Sequence, residues 1–116
     1  MIDAIMRGDD IDINIEVVRE ISEGVYVPVD ITGYAIYFTG KRYEDVEDAE
    51  ADIQVLAEHT DSENGLAKIT LNKEQTEQLI PGQLHYDIQM TSSTGRVSTL
   101  DRGVSEVYSD ITRRRV

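Results

Sequence analysis

Hydrophobic and polar residues alternate with a period of two along most of the chain. The segment around which we expect the other strands to be arranged is 30–42. Asp30 and Gly33 are residues that favour a turn, and a strand pattern follows at 34–41. There Tyr34, Ile36 and Phe38 share one face, and the residues between them are also largely apolar. Because both faces are apolar, the pattern predicts an interior strand.

The same alternation predicts further strands before and after this segment. Apolar residues recur at every second position in the ranges 10–18, 25–27, 53–58, 66–71 and 83–91. A last strand is predicted at 97–100 and, after a break at 101–103, at 104–108. A short edge strand is predicted within 1–9, where Arg7, Gly8 and Asp9 then form a turn. The spacing of these strands and of the turn residues between them predicts an all-β sandwich.

Several connections are also predicted from local chemistry. The polar residues 20–24 indicate a hairpin-like connection, and Asn64-Gly65 predicts the turn of one hairpin made of strands 53–58 and 66–71. Val104 and Val107 are out of phase for a flat strand, which predicts a bulge near Gly103 or Ser105.

One short helical turn is predicted between strands. Asn72 and Gln75 have the spacing of a capping box, in which the cap side chain and the third helical residue exchange hydrogen bonds. Thr76 and Leu79 then fall on one side, and Pro81-Gly82 ends the helix.

Composition narrows the classes of protein. The 116 residues, 40% of them hydrophobic, suffice for a single domain spanning 1–116. There is no cysteine, signal-peptide pattern or apolar run long enough to cross a membrane. The net charge of −12 repels phosphates and anionic membranes, so we expect neither nucleic acid nor membrane partners, despite the basic residues 113–115. It suits a basic protein partner.

Candidate chemistry is sparse, and the sequence predicts a protein without catalytic, metal or cofactor sites. His85 and Asp87 share a strand face, so the carboxylate of Asp87 can orient His85 as a general base. The sequence has, however, no Gly-x-Ser-x-Gly turn that would present a serine nucleophile to it. The acidic residues of 44–52 do not match the pattern of an EF-hand calcium-binding loop, because the segment has no glycine for the sixth position of that loop. We interpret this segment as a solvated loop.

The segment 79–90 resembles a run found in immunoglobulin-like and fibronectin-type domains. Its Leu79, Pro81-Gly82 and Tyr86 match the pattern that precedes a tyrosine corner, in which the hydroxyl bonds to backbone upstream. The resemblance implies that Tyr86 holds the fold together rather than contacting a ligand.

The chain as a whole resembles the immunoglobulin-like N-terminal domain of phage baseplate upper proteins and related small virion proteins. The residues that carry the resemblance are Arg7-Gly8-Asp9-Asp10, 29–34, Ile36, Phe38, Asn64-Gly65, 69–71, Thr76, Pro81-Gly82, 86–88, Gly95 and Thr99-Leu100. It implies an immunoglobulin-like antiparallel β-sandwich with one short helical turn. It also implies a non-enzymatic structural or adaptor protein that binds other phage virion proteins.

This resemblance leaves several points open. The expected location is the virion, after assembly in the host cytoplasm, in a baseplate, a tail or a capsid, and homo-oligomerisation is open. The partner-binding residues are unknown from the sequence. The alternative function is a carbohydrate- or receptor-binding module on the virion surface. An exposed cluster among Tyr26, Tyr37, Tyr43 and Tyr108 would favour that alternative.

Overall fold

The computed structural model describes residues 4–42 and 52–109, and this part of the chain is mostly β-strand. It contains ten strands, a 3-10 turn at Ser62–Asn64 and one short α-helix. The strands and the helix are β1 Ala4–Met6, β2 Ile11–Glu16, β3 Val18–Ser22, β4 Val25–Pro28, β5 Ala35–Lys41, β6 Ile53–Leu56, β7 Glu58–Asp61, β8 Leu66–Leu71, α1 Lys73–Glu77, β9 Gly82–Thr91 and β10 Val97–Tyr108.

The strands form three sheets. A five-stranded sheet has the order β1-β10-β9-β5-β6, a three-stranded sheet has the order β2-β8-β7, and β3 pairs only with β4. Neighbouring strands are antiparallel except for β1, which runs parallel to β10. The predicted edge strand is therefore confirmed, and its partner is the far end of the chain.

The predicted interior strand is also confirmed. β5 lies between β9 and β6, and its Ile36 and Phe38 are fully buried. Phe38 stacks on Tyr86 of β9, with ring centroids 5.7 Å apart. Such an aromatic pair adds about 0.5–1.5 kcal/mol beyond the burial of its surface.

One hydrophobic cluster joins the five-stranded and three-stranded sheets. Both sheets and the segments between them contribute to it through Ile5, Ile13, Ile15, Val17, Ile31, Ile36, Phe38, Ile53, Ala57, Ala67, Ile69, Leu71, Leu79, Leu84, Tyr86, Ile88 and Val107. Buried residues therefore alternate with exposed ones in β2 and with half-buried ones in the middle of β9, because each strand turns one face to the cluster.

The prediction of a hairpin from 53–58 and 66–71 is wrong. Residues Ile53–Leu56 pair with β5 in the five-stranded sheet, and only Glu58–Asp61 pair with β8. Ala57 lies where the chain leaves one sheet for the other, and its N–H donates to the carbonyl of Ile36. An alternating pattern identifies a strand but not its partner, so two short strands looked like one.

Two smaller predictions need correction. Residues 20–24 are not simply a connection, because β3 continues through Ser22 and the turn occupies only Glu23 and Gly24. The bulge in β10 exists, but the register shifts between Thr99 and Asp101 rather than near Gly103 or Ser105. The extra residue is therefore Leu100, whose insertion re-phases the strand.

The predicted helix start is confirmed. The Asn72 side chain accepts from the N–H of Gln75, and the Gln75 side chain accepts from the N–H of Asn72, which completes the capping box. Thr76 and Leu79 are buried as expected. Tyr43, nearly all of the acidic segment 44–52 and the basic residues 113–115 lie outside the described residues.

Candidate functional site

The strands β3 and β4 form a hairpin that belongs to neither larger sheet, and we call residues 18–28 the exposed hairpin. Apart from half-buried Val27, all its residues are exposed. Four are large apolar side chains: Val18 is 40% exposed, Ile21 56%, Val25 46% and Tyr26 59%. Apolar residues this exposed on an isolated hairpin make it a candidate contact surface.

The base of the exposed hairpin is firmly attached to the three-stranded sheet. The Val17 N–H donates to the carbonyl of Gly65 over 2.8 Å, and the Val29 N–H donates to the carbonyl of Val17 over 2.9 Å. Gly65 has a φ of 74°, and a Cβ there would collide with the carbonyl oxygens of Val17 and Val29. Glycine is therefore required where the hairpin leaves the body of the protein.

Beyond this base, no further hydrogen bond between the exposed hairpin and the larger sheets is found within residues 4–42 and 52–109. A two-stranded hairpin on its own is marginally stable in water, and strands at a sheet edge offer unpaired backbone groups to another chain. Both β3 and β4 are edges of their small sheet. The arrangement suits a partner that covers the apolar side chains or adds a strand.

A second surface is the outer face of the five-stranded sheet, the side turned away from the hydrophobic cluster. A shallow groove of about 510 Å³ lies on it, lined mainly by polar residues of β5, β9 and β10. In the strand register Lys41 lies beside His85, and Asp87 lies beside Arg102. Charges of both signs therefore meet in the groove.

The structure places His85 and Asp87 together on this outer face, as their spacing predicted. Both are half-buried and both line the groove. The hydroxyl groups in the lining come from Thr39, Thr99 and Tyr86, and that of Thr39 accepts a hydrogen bond from Gln54 over 3.1 Å. None of these groups forms the strained strand-to-helix turn that activates a serine nucleophile.

The other histidine has a structural role. The Nε2 of His59 lies 2.7 Å from the carbonyl oxygen of Tyr34, so this nitrogen carries the proton and donates. In the neutral ring Nδ1 then accepts from the Ser62 hydroxyl, also 2.7 Å away. His59 thus ties β7 to the segment that precedes β5.

The described tyrosines do not gather at one place. Tyr37 pairs with Gln89 in the register, whereas Tyr108 follows Val107, which pairs with Gly82 at the other end of β9. Gln89 and Gly82 are seven residues apart on β9, so at about 3.4 Å per residue these two tyrosines are separated by roughly 25 Å along the sheet. Tyr26 lies on the exposed hairpin, outside that sheet. Tyr26, Tyr37 and Tyr108 thus provide no aromatic platform of the kind that a sugar ring stacks on.

Two further features are absent from residues 4–42 and 52–109. No group of three or more histidine, aspartate or glutamate side chains in these ranges could hold a metal ion. No helix within them has the length and apolar character needed to cross a membrane.

Comparison with known proteins gave no relative: no protein-family model matches the chain, and no curated protein matches it significantly.

The sequence predicts a hairpin-like connection at 20–24 and a strand at 25–27, but it assigns no partner-binding residues and does not identify the exposed hairpin as a candidate surface. One signal could have found it. Ile21 interrupts the polar run 19–24, and Val25 and Tyr26 follow directly, so that apolar residues cluster on both sides of a glycine turn. Nothing in the local pattern shows, however, that these side chains stay exposed.

Proposed function

We propose that the chain adopts an immunoglobulin-like β-sandwich. The order of the strands supports this. An immunoglobulin domain of the variable type has one sheet built on its C, F and G strands with an added C′ strand, and another that contains its B, E and D strands. Here β5, β9 and β10 correspond to C, F and G, β6 to C′, and β2, β8 and β7 to B, E and D. The parallel pairing of β1 with β10 extends the first of these sheets.

We further propose that the protein is a non-enzymatic structural or adaptor protein that binds other proteins of a phage virion. The proposal that the protein binds other proteins rests on the exposed hairpin, because four large apolar side chains lie exposed on it outside both larger sheets. The proposal that these partners are virion proteins rests on the resemblance of the sequence to the immunoglobulin-like domain of phage baseplate upper proteins.

Charge favours a basic partner for the three-stranded sheet. Its outer face carries Asp12, Glu16 and Glu58 against Lys68 alone among the residues in its register. An acidic surface of this kind steers a basic partner and binds it less well as salt screens the attraction. Apolar contact through the exposed hairpin, in contrast, persists at high salt.

The test combines purified virions with hairpin variants. Particles of the source phage are washed at rising ionic strength, and this chain is quantified by mass spectrometry. In parallel, particles are assembled with Ile21→Ser/Tyr26→Ser. Its control is Ile80→Ser, which removes a side chain of comparable exposure, 49% against 56% for Ile21, from a site outside the hairpin.

Two results are expected. The natural chain should be present in fixed stoichiometry with partial loss at high salt, and the double variant should be incorporated at about a tenth of the natural level or less, in line with the loss of interface hot spots. The Ile80→Ser control should be incorporated normally. Absence of the chain from particles at every ionic strength would contradict the virion proposal, and normal incorporation of the double variant would contradict the role of the hairpin.

A further inference from the structure

The outer face of the five-stranded sheet differs in character from the rest of this acidic protein. Six of its side chains are large, apolar and 38–57% exposed. They are Met6, Tyr37, Leu56, Val97, Val104 and Tyr108. The strand register places all six on the side opposite the buried Ile5, Phe38, Ile88 and Val107.

The charges at the paired strand positions of this face cancel. There Lys41 and Arg102 are balanced by Asp87 and Glu106. The whole chain carries −12, so most of its acidic residues lie outside these paired positions, and the outer face of the three-stranded sheet has part of them in Asp12, Glu16 and Glu58. A face with six exposed apolar side chains and balanced charges at its paired positions is where a second copy can approach with the least local like-charge repulsion.

We infer that this face is the interface of a symmetric homodimer. In a two-fold interface the same patch meets itself, so the exposed apolar side chains of one copy are covered by those of the other. Strands about 4.8 Å apart and about seven residues long give five strands a flat area of roughly 600 Å². Because side chains project from the sheet, the accessible area of the face is larger than this flat area and approaches the ~800 Å² per partner of a standard stable interface.

The occupant is a second copy rather than the basic partner of the proposed function. A basic partner would gain nothing electrostatically on a neutral face and would be drawn to the acidic face of the other sheet. The two surfaces can therefore be used at once, with the dimer joining copies through one sheet while the exposed hairpin remains accessible. The inference does not depend on the virion assignment.

The experiment is sedimentation equilibrium of the full chain over a wide concentration range, at low and high salt. A reversible dimer is expected, and it should tighten with salt because screening weakens the repulsion between two copies of charge −12. Attachment of a basic partner has the opposite salt dependence. The direction of the salt effect thus separates the two kinds of contact.

Variants locate the interface. Val104→Glu and Leu56→Lys each place a charge on this face in both copies and should weaken the dimer about tenfold or more. The matched control is Val25→Glu on the exposed hairpin, since Val25 and Val104 are 46% and 48% exposed. It should leave the dimer unchanged. Circular dichroism and thermal unfolding verify that each variant folds.

Three outcomes would contradict a homodimer formed through this face. A natural chain that stays monomeric up to near-millimolar concentration would overturn the inference, and so would a dimer that Val104→Glu and Leu56→Lys leave intact. Dimer loss in Val25→Glu alone would assign self-association to the hairpin instead. None of these outcomes changes the virion incorporation test, so the two proposals fail separately.

Discussion

The hydroxyl oxygen of Tyr86 lies against the bare α-carbon of Gly103 on the neighbouring strand. A Cβ atom added at Gly103 would be 3.0 Å from that oxygen and 3.2 Å from the ring carbon bearing it. Gly103 and Tyr86 are direct partners in the register of β10 and β9. The missing side chain thus leaves the space that the tyrosine ring occupies.

We therefore predict that Gly103→Ala lowers the free energy of unfolding by about 1–3 kcal/mol, because the added methyl group overpacks this site. Chemical denaturation measures the loss. Val104→Ala, one residue along the strand and exposed, is the control and should cost less than ~1 kcal/mol.

A double-mutant cycle tests the cause of that loss. Tyr86→Phe alone should cost ~0.5–1.5 kcal/mol, since it removes a hydroxyl group. In that background Gly103→Ala should be less harmful than in the natural chain, because the nearest atom is gone. Strictly additive effects would show that the alanine is destabilising for another reason.

Phe38→Ala should be among the most damaging substitutions. Phe38 is fully buried, and its ring stacks on Tyr86, so truncation leaves a cavity and removes an aromatic pair. The expected cost is ~3–5 kcal/mol in the free energy of unfolding. The neighbouring Tyr37→Ala, at a position 38% exposed, is the control. An unchanged denaturation midpoint for Phe38→Ala would show that β5 does not belong to the core.

The hydroxyl of Thr76 links the helix to the turn after β1. It accepts from the Gly8 N–H over 3.0 Å and donates to the Asp9 carbonyl over 2.8 Å, and Thr76 is fully buried. Thr76→Val keeps the shape but leaves two backbone groups unsatisfied, which should cost ~1–3 kcal/mol. Thr70→Val, which removes an exposed hydrogen bond to Asp12, should be much milder. Equal midpoints for the two variants would refute this assignment.

Acid stability should depend on Asp30. The hydroxyl of Thr32 and then its backbone N–H donate to this carboxylate, and these hydrogen bonds lower the pKa of Asp30 below its ordinary value of 3.8. A lowered folded-state pKa stabilises the protein fully above the unfolded value, and the effect disappears as pH falls through the folded value. The contribution is therefore lost only in acid, below about pH 4.

Thr32→Val removes the hydroxyl group whose hydrogen bond contributes most to the lowered pKa of Asp30. The pKa of Asp30 should therefore rise towards its ordinary value. A carboxyl-carbon NMR titration measures this directly. Thr60→Val, at another exposed threonine, is the control and should leave the Asp30 titration where it is. No rise in Thr32→Val would mean that the hydroxyl does not stabilise the carboxylate in solution.

The acidic segment 44–52 is predicted not to bind calcium tightly, because its sequence lacks the turn glycine of a calcium loop. Calorimetric titration of the full chain is the measurement. Binding tighter than roughly 10⁻⁵ M would contradict the prediction and make Asp45, Glu47 and Asp48 candidates for ligands.

Local chemistry alone determined a large part of this fold. Alternation revealed β2, β5, β8 and β9 with the correct buried faces, because one face of each strand must leave water. The capping box at Asn72 and the turn at Asn64-Gly65 were equally readable, since both depend on residues within four positions of one another.

Only the tertiary structure decided which strands pair and which surfaces remain exposed. The switch of sheets at Ala57, the parallel pairing of β1 with β10 and the fit of Tyr86 against Gly103 all join residues distant in sequence. The candidate surfaces were hidden for the same reason. The local sequence around Val104 or Ile21 is the same whether the side chain meets the core or water, and only packing against the rest of the chain settles which one it meets.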